Sequence, residues 1–448
     1  MTHTTDRRRE GRRSQRPSSH RLKALRGTTD FMARIVVIGA GIVGLATAWQ
    51  LQRRGHQVTV VERRDGVAEG TSFANAGQLS YAYVAPFAGP GVLSSIPRWL
   101  LQADGPLRLA GVLNPAFMRW AARFVSLCNA GASAYTTRRL FELAMLSRKE
   151  WDQCFKLVPD RFSFARKGKL IVHRRAGALD AAERTAAWLA PYGYVQQRLS
   201  AAQCIEVEPA LASVEKELVG GIYTPGEEAA DCYRLCVEMS NAMRAAAMPV
   251  SFNFGTAVTR LLTAGRQVRG VATAEGEIEA DRVIVASGID ARNLLAPLGV
   301  KVPLWPIKGY SLSVPIADEA ACPRVSVTDY DNKIAFARLG PVLRAAGIAD
   351  LVGHSLALDA RRIATLKRGI ARVFPALSLD APLAEWTGLR PATPSGRPIL
   401  GPTRYENLFV NVGHGSLGFT LAMGSARVVA DLLDERNQEI ELDGFLMA

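Results

Sequence analysis

Cysteine is scarce in this chain, and the few that occur form no pattern. The six (Cys128, Cys154, Cys204, Cys232, Cys236 and Cys322) contain no CxxC and stand in no Cys/His spacing suited to zinc. That argues against a disulfide scaffold and a structural metal site, and it fits a reducing cytoplasm. Cys232 and Cys236, four apart, read as small apolar residues on one helical face. No apolar run reaches the roughly 18 residues of a membrane span. Basic residues interleaved with aromatics, the mark of a nucleic-acid surface, are missing from the part that looks folded. Acids are outnumbered 41 to 55, a net charge of +14.

The excess charge is unevenly placed. Residues 1–33 carry nine Arg or Lys against three acids, so +6 of the +14 lies in a stretch without apolar periodicity, expected to be a disordered tail. It is compatible with phosphate or anionic-lipid contact, with a targeting segment, or with a translated upstream extension. The last is preferred, because Met32 stands just before the folded pattern begins. No apolar stretch follows the basic residues, which argues against a secretory signal.

What is present is a globular composition, 48% hydrophobic and 21% charged over 448 residues, enough for one large domain or two. Ile35 to Ile38 is an apolar strand, Gly39-Ala40-Gly41-Ile42-Val43-Gly44 a tight turn, Leu45 to Arg54 a helix, and Gln57 to Val61 a second strand ending at Glu62. Glu62 stands 23 positions after Gly39. This is the dinucleotide fingerprint in its βαβ setting. Gly39 permits the turn, Gly41 lets backbone approach a pyrophosphate, and Gly44 lets helix and strand close together. The helix N-terminus faces the phosphates. Glu62 suits a ribose hydroxyl and argues against a 2′-phosphate. Farther on, residues 92–157 are expected to be mainly helical, with helices also over 178–190, 229–247 and 359–374; strands are expected over 164–173, 304–314 and 334–348, and alternating strands with turns near Gly265 and Glu275-Gly276 over 250–286.

The fingerprint alone leaves FAD and NAD open. Near the other end, a strand at Leu408 to Val412 runs into Gly413-His414-Gly415-Ser416-Leu417-Gly418 and a helix from about Phe419. A second helix N-terminus suits the negative charge of a reduced flavin better than a nicotinamide.

Four stretches carry a family resemblance: Thr71-Ser72-x-Ala74-Asn75-Ala76-Gly77-Gln78, Pro306-x-Lys308-Gly309-Tyr310-Ser311-Leu312, Trp386-Thr387-Gly388-Leu389-Arg390-Pro391-x-Thr393-Pro394, and the turn at 413–418. Over residues 33–435 the chain resembles the D-amino-acid dehydrogenase family, in the glycine oxidase / D-amino-acid oxidase group of flavoproteins. The resemblance implies an α/β fold: an interrupted Rossmann-type FAD-binding domain (34–90, 200–295 and 386–437) plus a substrate domain with a mixed β-sheet and helices (91–199 and 296–385). It implies FAD, bound noncovalently because no attachment motif is visible, and oxidation of a D-amino acid similar to D-alanine. Electrons would leave toward a membrane quinone or other acceptor, from a cytoplasmic enzyme touching the inner face of the membrane.

Arg390 is the expected carboxylate anchor, since a guanidinium offers a planar fork. Tyr310 is a second substrate contact and His414 a residue close to the flavin; these three are the candidate catalytic set. Lys308 is a further candidate through water. Ser72, Asn75 and Gly77 are placed by analogy along the isoalloxazine edge, Val258 beside the adenine, Ser287-Gly288 near the adenosine, and Arg63 joins Glu62 among the cofactor contacts. Asp350, where relatives usually carry Glu, and Tyr330-Asp331-Asn332 are expected to tune the substrate pocket. Two segments around Trp99 and Trp120, mixing Trp, Phe and Leu with Arg, suit a lipid interface. A glycine, sarcosine or hydroxy-D-proline oxidase or dehydrogenase shares this plan. A basic nucleotide- or nucleic-acid-binding protein without catalysis is the alternative of a different class.

Overall fold

A computed structural model describes residue 1 and residues 32–102, 105–110 and 113–447. The basic segment expected over 1–33 therefore falls almost wholly outside the described residues.

The apolar run after Met32 becomes the strand Arg34–Ile38, with parallel neighbours on both sides, Gln57–Val61 and Arg282–Val285. It lies near the middle of a sheet ordered Ile399–Pro402, Leu408–Val412, Arg282–Val285, Arg34–Ile38, Gln57–Val61, Ser251–Asn253. Only the edge strand Ile399–Pro402 runs antiparallel. Such sheets are covered on both faces, which is why their strands read as continuous apolar runs rather than alternating ones. One face packs on the helices Ile42–Gln52 and Gly418–Leu433, the other on a small antiparallel sheet built from residues 260–279. Helix Ile42–Gln52 is buried nearly all round, with the sheet, helix Gly418–Leu433 and helix Cys232–Ala245 around it.

A second, mixed sheet has the order Ala384–Ala392, Trp305–Pro315, Val342–Leu351, Ile334–Leu339, Ser326–Asp329, Lys169–His173, Gly220–Thr224, Gln197–Leu199, and Leu107–Leu109 adds to Val342–Leu351. Behind it, helix Ala360–Val373 buries Ile363, Leu366, Ile370 and Val373. Its other face looks into the cavity described below. By sheet membership Gln197–Leu199 belongs here, as expected for 91–199, and so do Gly220–Thr224 and most of Ala384–Ala392, which fall in the stretches 200–295 and 386–437 expected in the nucleotide domain. Nothing in a short apolar strand says which sheet it will join. From Met32 onward the two sheets belong to one compact unit.

Candidate active site

One connected cavity of about 1390 Å³ runs from the glycine turn at 39–44 to the open face of the second sheet. The three turn glycines serve different ends. Gly39 has φ +108, and a Cβ there would lie 2.9 Å from the Ala286 carbonyl oxygen. A Cβ on Gly44 would lie 1.8 Å from the Gly39 oxygen, so helix and turn are packed too closely for any side chain. Gly41 is conformationally ordinary, φ −71 and ψ 173, and the nearest atom to its Cβ position is Ser72 Oγ at 3.5 Å. A side chain at 41 would fill only cavity, so the close approach of a ligand is what calls for glycine there.

Around this turn the Glu62 carboxylate accepts from the N–H groups of Ala40 (2.8 Å) and Arg64 (3.0 Å) at the cavity wall. Arg63 pairs with Asp290 at 2.8 Å. Val258 and Gly288 also line the wall, and Gly288 has φ +58. Two polar atoms on this wall, Ser287 Oγ and Asn411 Oδ1, are buried without a partner among the described residues. Such atoms are costly unless a ligand satisfies them. Room beside Gly41, two helix N-termini opening on the cavity and these unpartnered oxygens fit a dinucleotide.

Ser72 lines the cavity beside the glycine turn, its Oγ accepting from the Ile42 N–H at 3.1 Å. Asn75 and Gly77 shape the cavity-facing loop: Asn75 Oδ1 accepts from Gly77 N–H at 2.9 Å, and the Gly77 carbonyl accepts from Ala230. In the C-terminal turn Gly413 and Gly415 have φ +87 and +55, and Ser416, Leu417 and Gly418 complete the wall. His414 is buried, with Nε2 2.9 Å from Ser425 Oγ. Since Ser425 spends its proton on the Ala422 carbonyl, His414 is the donor. Burial pushes its imidazole down to about 3. It is a buried group at the cavity wall that ties the turn to the helix, in line with the positioning role expected of it.

At the other end stands Arg390. Its guanidinium lies across Gly309, where a Cβ would come within 2.4 Å of Nη2. It donates from Nη1 to the Ile348 carbonyl (2.8 Å) and from Nη2 to the Gly347 carbonyl (3.4 Å). A β-bulge presents those carbonyls: the pairing runs Lys308 to Asp350 and then Tyr310 to Gly347, so Val342–Leu351 carries an extra residue. Ile348 sits there at φ +64, a conformation that costs a β-branched residue about 1–3 kcal/mol. These bonds engage two of five guanidinium donors. Burial lowers Arg390 to about 10, which leaves it charged at neutral pH.

Tyr310 lines the cavity and donates to Asp350 at 3.2 Å. Asp350 is fully buried, gripped also by Arg362 (2.6 and 3.1 Å) and Arg108 (3.2 Å). It positions Tyr310 from behind the wall instead of facing substrate. Lys308 likewise turns away, onto the Ala357 carbonyl. Of Tyr330-Asp331-Asn332, only Tyr330 reaches the cavity.

Several wall residues escaped sequence reading: Tyr83, Lys169, His173 and Lys333. Lys169 donates to Ser80 Oγ at 2.8 Å and lies 4.6 Å from the Tyr83 ring centroid. Burial draws it below the usual lysine range and raises nearby Glu227. The available signal was Lys169-Leu170-Ile171-Val172-His173, where alternation puts both polar ends on one strand face.

The expected interfacial aromatics are also placed otherwise. Trp99 lines the cavity, and Trp120 is buried against Phe117 with its indole on the Ala392 carbonyl at 2.9 Å. The exposed apolar residues of the helices Val92–Leu101 and Pro115–Leu127 are Leu93, Leu100, Leu101, Met118 and Val125, interspersed with exposed Arg98, Arg119 and Arg123. Among the described residues, no helix is long and apolar enough to cross a membrane.

Comparison with known proteins agrees with this geometry. The family model described as FAD dependent oxidoreductase matches residues 34–432. A protein named D-amino acid dehydrogenase 2 from Ralstonia nicotianae is 48% identical over 425 residues, covering 93% of this chain and all of that protein. One of the same name from Pseudomonas aeruginosa is 41% identical, covering 92% and 98%. The crystal structure of glycine oxidase from Geobacillus kaustophilus superposes with a TM-score of 0.73 at 21% identity, covering 93% of this chain and 99% of that one. That last likeness shows the fold. This chain belongs to the FAD-dependent oxidoreductase family that the model describes.

Proposed function

We propose that the protein oxidises D-amino acids to 2-oxo acids and ammonia, passing the electrons to a quinone or similar acceptor. The observation that carries this reading is Arg390, held across Gly309 by a bulged strand in a cavity continuous with the dinucleotide turn. The relatives' names agree with it. The glycine turn at 39–44, Glu62 and the turn at 413–418 would hold FAD, which would supply a hydride acceptor. The chain supplies orientation. Arg390 takes the substrate carboxylate in a two-point fork, and Tyr310, fixed by Asp350, adds wall beside it.

Anaerobic titration tests the activity. D-Alanine is expected to bleach the flavin absorbance while L-alanine and sarcosine leave it, and denaturation is expected to release the flavin. Bleaching by sarcosine alone would favour a glycine or sarcosine oxidase, the reading nearest in fold.

For the acceptor, the supporting feature is the set of exposed apolar and basic residues on two helices that also line the cavity. An anionic lipid surface matches that chemistry. A chain beginning at Met32 is expected to sediment with anionic vesicles at low salt, and the combination Leu100→Ser, Leu101→Ser and Arg98→Glu to reduce this several-fold. If the unmodified chain stays in the supernatant, the membrane contact is wrong and the oxidation chemistry is untouched.

A further inference from the structure

Beyond Arg390, the cavity continues along the second sheet toward Lys333, Tyr330, Thr328 and His173. Charge is distributed unevenly along it. The carboxylates lining the wall are Glu62, Glu69 and Asp290, all at the nucleotide end. The sheet end carries the cations Arg390, Lys333 and Lys169 with no lining carboxylate among the described residues. Lys333 makes no ion pair among the described residues, although Asp329 and Asp331 are close in sequence. Asp329 is taken by Arg174 (2.6 Å) and Asn332 (2.8 Å), and Asp331 by the Arg174 N–H (2.9 Å) and Arg175 (2.6 Å). The Lys333 ammonium instead lies 3.5 Å from the centroid of the Tyr330 ring, which His173 flanks at 4.7 Å.

Two further groups there want partners. His173 is wholly buried, yet neither ring nitrogen has a hydrogen bond, and Thr328 Oγ1 is buried and equally unpartnered. Burial keeps His173 neutral, down to about 4, so it presents one N–H. Lys333 is lowered to about 8 and stays mostly charged at neutral pH. The set is rich in donors.

The two cations are close in the sheet. Arg390 is anchored on the carbonyls of Gly347 and Ile348, and Ile334, which follows Lys333, pairs with Gly347 on the neighbouring strand, so Lys333 leaves the backbone one strand over from that anchor. Ser326–Asp329, which Tyr330 follows, and Lys169–His173 come next in order.

We infer that Lys333, Thr328, Tyr330 and His173 form a side-chain subsite for an acidic D-amino acid, one of four or five carbons whose distal carboxylate reaches Lys333 while Arg390 holds the α-carboxylate. The inference rests on the amino-acid reading of Arg390 and names the substrate class within it. An apolar side chain of equal length leaves the buried donors unpaired, which is how a polar site discriminates.

The test compares kcat/KM of the holoenzyme for D-glutamate, D-glutamine and D-norvaline. D-Glutamate is expected to exceed D-norvaline at least about tenfold, and Lys333→Met to cut that ratio by roughly ten- to a hundredfold, the worth of one charge-assisted hydrogen bond. Lys333→Arg should retain most of the ratio, and Thr328→Val should lower it a few-fold. A wild-type ratio near one, a ratio unmoved by Lys333→Met, or D-glutamine equal to D-glutamate overturns the acidic subsite. Protection against thermal unfolding by glutarate, compared with pentanoate, reads binding without turnover. Lys333-dependent protection by glutarate in a protein that oxidises no D-amino acid would keep the subsite and remove the proposed activity. Oxidation of D-alanine with no such protection would remove the subsite alone.

Discussion

Gly41→Val is expected to give a folded protein that purifies with less than roughly a tenth of the wild-type flavin, because its side chain stands where a pyrophosphate must approach the backbone. The fold should survive. Gly41 holds φ −71 and ψ 173, which valine adopts readily, and its Cβ would meet only Ser72 Oγ, at 3.5 Å. The flavin-to-protein absorbance ratio reads the loss, and far-ultraviolet circular dichroism confirms the fold. Gly44→Ala provides the contrast. Its Cβ would fall 1.8 Å from the Gly39 oxygen, so that variant should lose stability along with flavin. Full flavin content in Gly41→Val would mean that the cofactor does not lie along this turn.

Arg390→Ala is expected to lower kcat/KM for a D-amino acid by about 10²–10⁴-fold while flavin stays bound. Two charge-assisted hydrogen bonds to a carboxylate, at about 1.5–3 kcal/mol each, account for that range. Arg390→Lys keeps a charge and loses the fork, so its deficit should be smaller and weighted toward KM. Gly309→Ala supplies an independent test. The added methyl falls within 2.4 Å of the guanidinium without touching the nucleotide turn, and it should weaken turnover through Arg390 alone. Steady-state kinetics with an artificial electron acceptor separate these outcomes. Wild-type values for Arg390→Ala would take the residue out of the site.

The nucleotide turn was legible in the sequence because all its parts are local. Strand, turn, helix and second strand follow one another within residues 34–62, and the roles of Gly39, Gly41 and Gly44 depend on backbone within a few residues or on the adjacent strand. The C-terminal strand was readable for the same reason: Leu408–Val412 forms as expected, with the helix Gly418–Leu433 one residue earlier than read. Arg390 was legible through its motif.

What holds Arg390 was not. The carbonyls of Gly347 and Ile348 come from a strand some forty residues away in the chain, turned inward by a bulge that no pattern of alternation announces. The same reason explains why Asp350 and Lys308 proved to face away from the cavity. A charged residue on a strand reads as a site residue until the helix behind it supplies Arg362, or a loop supplies the Ala357 carbonyl. It also explains His173 and Lys333, which share one wall only because Lys169–His173 joins Ser326–Asp329 in parallel, and that strand in turn pairs with Ile334–Leu339. The strand–turn–helix units at 34–62 and 408–433 could be read from local sequence, because periodicity and glycine chemistry act over a few residues, whereas Arg390 was singled out by the resemblance of its motif. Only the tertiary structure decided which polar side chains meet in the cavity, because that depends on sheet order and on which neighbour satisfies each buried group.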